Sequence, residues 1–315
     1  MSVYRADDAP FVGSQLVLQL FTLRGLSSNH ATVRVLVFGA IGVLAWYLGR
    51  VGYAVSLPVS PFEVVGAVLG MMLAFRTNTA YNRFWEGRTL WGGIVNTCRS
   101  LARLVRYYAP QEEAELRDFA VWIVVFAHVT RRRLRGEPQW PEVNRLLSRT
   151  QADELAAAHH PALHAAGELS ARIAHLLERK VIDPHLATQA ELHVVGLVDR
   201  LGGVERIMKT PTPPGYVLLL RRMITLYLAL LPIALVTKIG LYSPLVTILV
   251  AYPILVIESL GSELDEPFGH DVNDLPLSRI CETIERDVLP IALQKTSLPG
   301  RPSVFAETMI ERLGD

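Results

Sequence analysis

The chain is short of charge, of cysteine and of any basic excess, and each shortage removes a class of function. Only 19% of its 315 residues are Asp, Glu, Lys or Arg, against 50% hydrophobic, which is too apolar for an ordinary soluble enzyme of this length. A formal net charge of +1 excludes nucleic acid as a partner, because phosphate binding needs basic side chains in excess on one face. The two cysteines, Cys98 and Cys281, have neither zinc-site spacing nor the density of a disulfide scaffold, and they read as small buried apolar side chains. The start, MSVYRADDAPFVG, carries Asp7 and Asp8 where a cleavable signal peptide would be basic, so the first apolar run is expected to remain in the mature chain. What is abundant is apolar sequence, and a membrane protein is the class that fits.

The first 30 residues are polar to amphipathic, with SQLVLQLF as a short apolar face, read as an interfacial segment packed under the membrane. Thr32 to about Val55 is long enough to cross, with Trp46 and Tyr47 near the outer end where aromatic rings favour the headgroup layer. SLPVSP makes a short outer connection, and the chain returns through PFEVVGAVLGMMLAFRTNTAYNRFWEGR, residues 61–88. Everything else is organised around this stretch, where an apolar helix becomes an arginine-and-aromatic one with no breaker between. Phe62 to Phe75 holds one formal charge, Glu63, and its fourteen residues span about 21 Å, short of a hydrocarbon core on their own. Ala67, Met71 and Phe75 sit at i, i+4 and i+8 and form one stripe; Gly66, Gly70 and Ala74 form the neighbouring one. Small residues at that spacing let helices approach closely in a bilayer. The expectation is that the small stripe packs and the larger one faces a pore.

The helix is expected to run on without proline to about Tyr108, through Arg76, Arg83, Arg88, Arg99, Arg103 and Arg106, a basic run that places this end in the cytoplasm. Of the 31 Lys and Arg residues, 21 lie between Arg76 and Arg222, so the middle of the chain is cytoplasmic. It reads as helices near 112–135, 141–157, 161–180 and 184–208, divided by RGEPQWP, His160-Pro161 and Asp183-Pro184. Arg131, Arg132, Arg133 and Arg135 read as a solvated helix end, and His159, His160 and His185 lack partners at metal spacing. KTPTPPGY, residues 209–216, is expected to be non-helical and to mark re-entry into the membrane. Val217–Val236 and 240–257 then form a helical hairpin, with Pro232 and Pro253 tolerable inside a bundle. The fold class is all-α, with four transmembrane spans, both termini in the cytoplasm and an inner (plasma) membrane location. The blocks are 1–75 (interfacial segment and spans one and two), 76–210 (cytosolic helices), 211–262 (hairpin) and 263–315 (acidic loop, helix and tail).

After the hairpin, Glu263, Asp265, Glu266, Asp271 and Asp274 fall within a dozen residues, beside Asn273. Such a loop could wrap a hard cation, calcium or another divalent ion, although EF-hand spacing is absent. The competing reading makes Asp274 the cap of a helix starting near Leu275, with Pro276 in its first turn.

FRTNTAYNRFWEGR at 75–88, PTPPGY at 211–216 and EPFGHDVNDLP at 266–276 together resemble the bestrophins, in their bacterial branch, along nearly the whole chain. The resemblance implies a homopentamer whose second transmembrane helix lines a central pore, with lipid around it and monovalent ions passing through. Its narrow apolar neck falls on Ala67, Met71 and Phe75, which would gate by excluding water. The family's cytosolic aperture falls on His185, where an apolar residue is more typical; five imidazoles there would be a titratable ring, against the alternative of a solvent-facing histidine at a helix start. The calcium clasp of animal members maps to Glu263, Glu266, Asp271 and Asp274 with backbone oxygens of the N-terminal segment.

The expected function is a passive ion channel. Selectivity leans to cations, because nothing basic lines the predicted neck and Glu63 lies near its mouth; a chloride channel of the same architecture is the alternative. Two further readings are a membrane-anchored metal-dependent enzyme using the acidic loop with His270, and a scaffold whose basic helices bind a partner. The enzyme reading lacks a nucleophile-base pair or a histidine pair at helical spacing.

Overall fold

A computed structural model describes residues 29–53, 57–108 and 113–293, and among these the regular structure is helical throughout, with no strand. The helices are α1 (Asn29–Arg50), α2 (Ser60–Tyr108), α3 (Glu113–Arg135), α4 (Pro141–Leu146), α5 (Arg149–Ala157), α6 (Pro161–Glu178), α7 (Pro184–Lys209), α8 (Pro214–Ile239), α9 (Ser243–Asp265) and α10 (Leu277–Leu293). A 3-10 turn at Gly240–Tyr242 joins α8 to α9. The interfacial segment expected at SQLVLQLF lies outside the described residues.

Most boundaries follow from local chemistry. α2 contains 49 residues and starts with Pro61 in its first turn, a position where the missing N–H costs nothing. The single helix expected over 141–157 is two, because Leu147 is extended and Ser148 opens α5 with a capping box: its hydroxyl accepts from the Gln151 N–H, and its own N–H donates to Gln151 Oε1 at 3.1 Å. His160 also has a structural role, its Nδ1 accepting from the Leu163 N–H at 3.1 Å to cap α6. The proline-rich re-entry segment is shorter than expected. Pro213 is the N-cap residue and Pro214 begins α8, so Gly215 and Tyr216 are already helical. A left-handed Gly240, φ 55°, ends α8.

Two compact units result, and the boundaries differ from the membrane-based blocks. Described residues up to Leu90 together with Gly203–Pro276 form the first; Trp91–Gly202 with described residues from Leu277 onward form the second. α2 and α7 each contribute to both. In the first unit Val35 and Phe38 of α1, Leu69 and Leu73 of α2, Leu220, Ile224 and Leu228 of α8, and Ala251 and Leu255 of α9 make one apolar core. Thr32–Arg50 and the stretch Pro214–Asp265, which holds α8 and α9, are long and apolar enough to cross a membrane. In the second unit α3 packs against α6 and α10 and is buried almost all round, with Phe119, Trp122, Ile123 and Phe126 at 2% exposure or less.

Candidate functional site

At about 100° per residue, the side chains of α2 divide into two opposed faces. Leu69, Leu73, Arg76 and Ala80 are buried in the protomer, while Ala67, Met71 and Phe75 lie on the other side of the helix and are exposed, Met71 by 55% and Phe75 by 62%. Within the protomer the small-residue stripe packs only in part. Gly66 sits against Tyr227, whereas a Cβ at Gly70 would meet nothing within 4 Å in the same protomer and Ala74 is exposed there. Within the protomer the aliphatic ridge at 69 and 73 takes the core, because it buries more apolar surface, and Ala74 lies about a third of a turn away from it. Glu63, in the first turn of α2, is exposed. The first base after it, Arg76, is turned inward: its side chain is 4% exposed and binds Glu258 and Ser262.

The three sequence motifs converge on α2 in the first unit. Arg83 forms an ion pair with Asp265 at 2.8 Å and donates to the backbone oxygens of Ile207 at 2.8 Å and Thr210. Thr212 donates to the same Asp265 carboxylate at 2.7 Å, and Tyr216 donates to the Met72 carbonyl at 3.2 Å. Phe268 lies so close to Gly87 that a Cβ there would stand 3.1 Å from its ring. The arginine of the first motif therefore holds the start of the second and the approach to the third. In the sequence, Arg83 stands out only as a topology signal.

His185 occupies the first turn of α7 and is exposed. Asp183 caps that helix, its carboxylate accepting from the His185 and Leu186 N–H groups at 2.8 and 3.0 Å.

The acidic segment is built differently from a loop of free carboxylates. Glu263 and Asp265 belong to the last turn of α9. Glu263 is buried and accepts from Asn273 Nδ2 at 2.7 Å; Asp274 accepts from the Asp271 N–H at 2.7 Å, upstream of α10, which begins at Leu277 rather than Leu275. Glu266 and Asp271 are exposed. Among the described residues no three His, Cys, Asp or Glu side chains gather in a way that could hold a metal ion. The proposed calcium ligands Glu263, Glu266, Asp271 and Asp274 therefore do not fit a cation shell from side chains alone, and the N-terminal backbone oxygens of the clasp lie outside the described residues.

Two stretches long and apolar enough to cross a membrane, and a long helix whose apolar face is exposed in the protomer, fit an integral membrane protein. The chain belongs to the bestrophins: the family model for the Bacterial/Fungal Bestrophin protein matches residues 13–290. It is 38% identical over 274 residues to the voltage-dependent anion channel-forming protein alr2987 of Nostoc sp., covering 85% of this chain and 89% of that one. It is 33% identical over 257 residues to the voltage-dependent anion channel-forming protein YneE of Escherichia coli, covering 79% and 81%. Its fold is similar to the crystal structure of a bacterial bestrophin homologue from Klebsiella pneumoniae, with a TM-score of 0.80 at 31% identity over 84% of this chain and 98% of that one. Family and relatives are channels, which sets the enzyme reading aside.

Proposed function

We propose that the chain is a multi-pass inner-membrane protein, with both termini cytoplasmic, that assembles as a homopentamer and conducts monovalent ions along an axis lined by α2. The observation that carries this reading is the exposed stripe Ala67, Met71 and Phe75, set opposite the buried ridge of the same helix. An exposed methionine and phenylalanine on a membrane helix need either lipid or a narrow aqueous path, and rings of them would close by dewetting. His185, exposed in the first turn of α7, forms the cytosolic aperture, so His185→Ile changes the conductance.

The geometry favours cations. Glu63 is exposed at the start of α2, and the nearest base on the helix, Arg76, is tied inward to Glu258, leaving no positive ring at the neck. The competing reading, an anion channel, is supported by the names of the relatives. Purified protein in planar bilayers under a sodium chloride gradient decides between them. A reversal potential toward sodium supports the cation path; a shift toward chloride replaces it with the anion one. Absence of current, or identical currents in wild type and Phe75→Ala, overturns the pore reading, and a detergent particle smaller than five copies overturns the pentamer.

A further inference from the structure

Glu258, on α9, is the carboxylate on which the helices of the first unit meet. Its side chain is 3% exposed. Arg34 of α1 binds Oε2 at 2.9 Å, Arg221 of α8 binds Oε1 at 2.8 Å, and Arg76 of α2 reaches Oε1 at 3.4 Å. Ser262, one turn further along α9, accepts from Arg76 at 2.8 Å and from Arg221 at 3.1 Å, and donates to the Glu258 carbonyl at 3.1 Å. Three guanidiniums from three helices thus share one carboxylate on the fourth, and two of them also share its Ser262 hydroxyl.

An ion cluster in a membrane-spanning bundle is costly, and a buried pair is a poor source of net stability; what such a pair supplies is one defined arrangement. Here the arrangement concerns the azimuth of α2. Arg76 follows Phe75 directly, so the two side chains point about 100° apart. Apolar ridges at Leu69 and Leu73 are non-directional and tolerate rotation, whereas a guanidinium held by both a carboxylate and a hydroxyl does not. Arg34 and Arg221 are 38% and 50% exposed, so water can share their charge, but Arg76 at 4% depends on Glu258.

We infer that Glu258 is a positioning residue for conduction, holding Arg76 so that Met71 and Phe75 face the ion path. This role rests on α2 lining that path. Removing the carboxylate leaves the three guanidiniums without this anion, and α2 loses the charged contact that, with the Arg76–Ser262 and Tyr216–Met72 hydrogen bonds, fixes its rotation next to the neck.

The test is single-channel recording of Glu258→Gln, Glu258→Asp, Arg76→Gln and the Glu258→Gln/Arg76→Gln double variant, each first sized in detergent, with Phe75→Ala recorded beside them. The expected result is a wild-type-sized Glu258→Gln particle whose open probability or conductance changes about tenfold, equivalent to ~1.4 kcal/mol. Glu258→Asp restores most of it. The effects of Glu258→Gln and Arg76→Gln are non-additive, as for two ends of one contact. Wild-type currents from a correctly sized Glu258→Gln particle overturn the inference, and so do additive effects. If Glu258→Gln fails to assemble, Arg76→Lys takes its place: it keeps the charge but cannot span carboxylate and hydroxyl together, and unchanged currents there also overturn it. When Phe75→Ala alters the current and these variants do not, only the positioning role falls; when Phe75→Ala changes nothing, the pore reading falls and this role with it.

Discussion

The Tyr227 hydroxyl rests against the backbone of α2 at Gly66, where a Cβ would stand 2.8 Å from the oxygen and 3.3 Å from Cζ. Four residues later, Gly70 meets nothing within 4 Å. The same residue type therefore does opposite things on one helix. Gly66→Ala gains about 1 kcal/mol of helix propensity but overpacks against Tyr227, at roughly 1–3 kcal/mol. We expect Gly66→Ala to lower the thermal midpoint in detergent and Gly66→Ala/Tyr227→Phe to recover part of the loss. Gly70→Ala is expected to leave the midpoint unchanged or raise it. A Gly66→Ala midpoint at or above wild type would show that Tyr227 is not fixed against α2.

Arg83 and Asp265 are 17% and 13% exposed, and the same guanidinium serves two backbone carbonyls of the segment before α8. Loss of one partner of a buried pair costs roughly 3–5 kcal/mol, because the other is left uncompensated. Arg83→Ala is expected at the lower part of that range, since both side chains retain some water, and Arg83→Lys should recover little because it cannot reproduce the forked contacts. Chemical denaturation of the two variants measures this. Equal stability of Arg83→Ala and wild type would remove Arg83 as the junction of the three motifs.

How much of the fold and the site is legible in the sequence depends on whether the signal is local. Pro61, Pro161, Pro184 and Pro214 each sit in the first turn of a helix, and the apolar periodicity of α2 by itself separates Ala67, Met71 and Phe75 from their neighbours. The failures concern partners distant in the chain. Which ridge of α2 packs within the protomer is decided by the core of α8 and α9, more than a hundred residues away, so the small residues do not mark it. Glu258 and Arg76 are each visible as a charge at the end of an apolar run, a pattern that demands a partner, but nothing local pairs them. The acidic segment misleads for a related reason: proximity in sequence suggests one cation shell, whereas Glu263 is taken by Asn273, Asp265 by Arg83 and Thr212, and Asp274 by the Asp271 N–H.

Cys98 and Cys281 are both free and fully buried. Burial pushes the Cys98 thiol up, with Cys281 adding to the effect, and burial pushes Cys281 up to about 12. At pH 8 the Cys281 thiolate fraction is then about one in ten thousand, and thiolate is the reactive form. Maleimide should label neither thiol in the folded protein over minutes and both after denaturation. Rapid native labelling of either would place it at a surface, and labelling of Cys281 would contradict the packing of α3 against α10.

Acid-sensitive groups of the second unit fall in two windows, and in the upper one His193 of α7, lowered by burial and by the Arg103 and Arg200 charges, accompanies His128. His128 of α3 is 2% exposed, its Nε2 lying 3.3 Å from Glu285, which also pairs with Arg145. Burial, reinforced by the positive charge of Arg131, pushes the imidazole below its ordinary 6.5, while Glu142 and Glu285 pull the other way. The folded state thus keeps His128 neutral where the unfolded chain binds a proton. Its contribution to stability is present above about pH 6.5 and is lost as pH falls through the lower folded value. Glu142 acts further down. Burial raises its carboxyl, but its backbone hydrogen bond and the Arg131 and Arg132 guanidiniums outweigh that and bring it from 4.5 to about 2. Its contribution is present above about pH 4.5 and is lost toward pH 2. Unfolding midpoints measured from pH 8 downward should therefore fall in two steps. His128→Phe should shrink the upper step, to which His193 also contributes, while leaving the lower one, and Glu142→Gln should flatten the lower step alone. A midpoint that rises between pH 7 and 5.5, or an upper step that His128→Phe leaves undiminished, would show that His128 does not take up the proton.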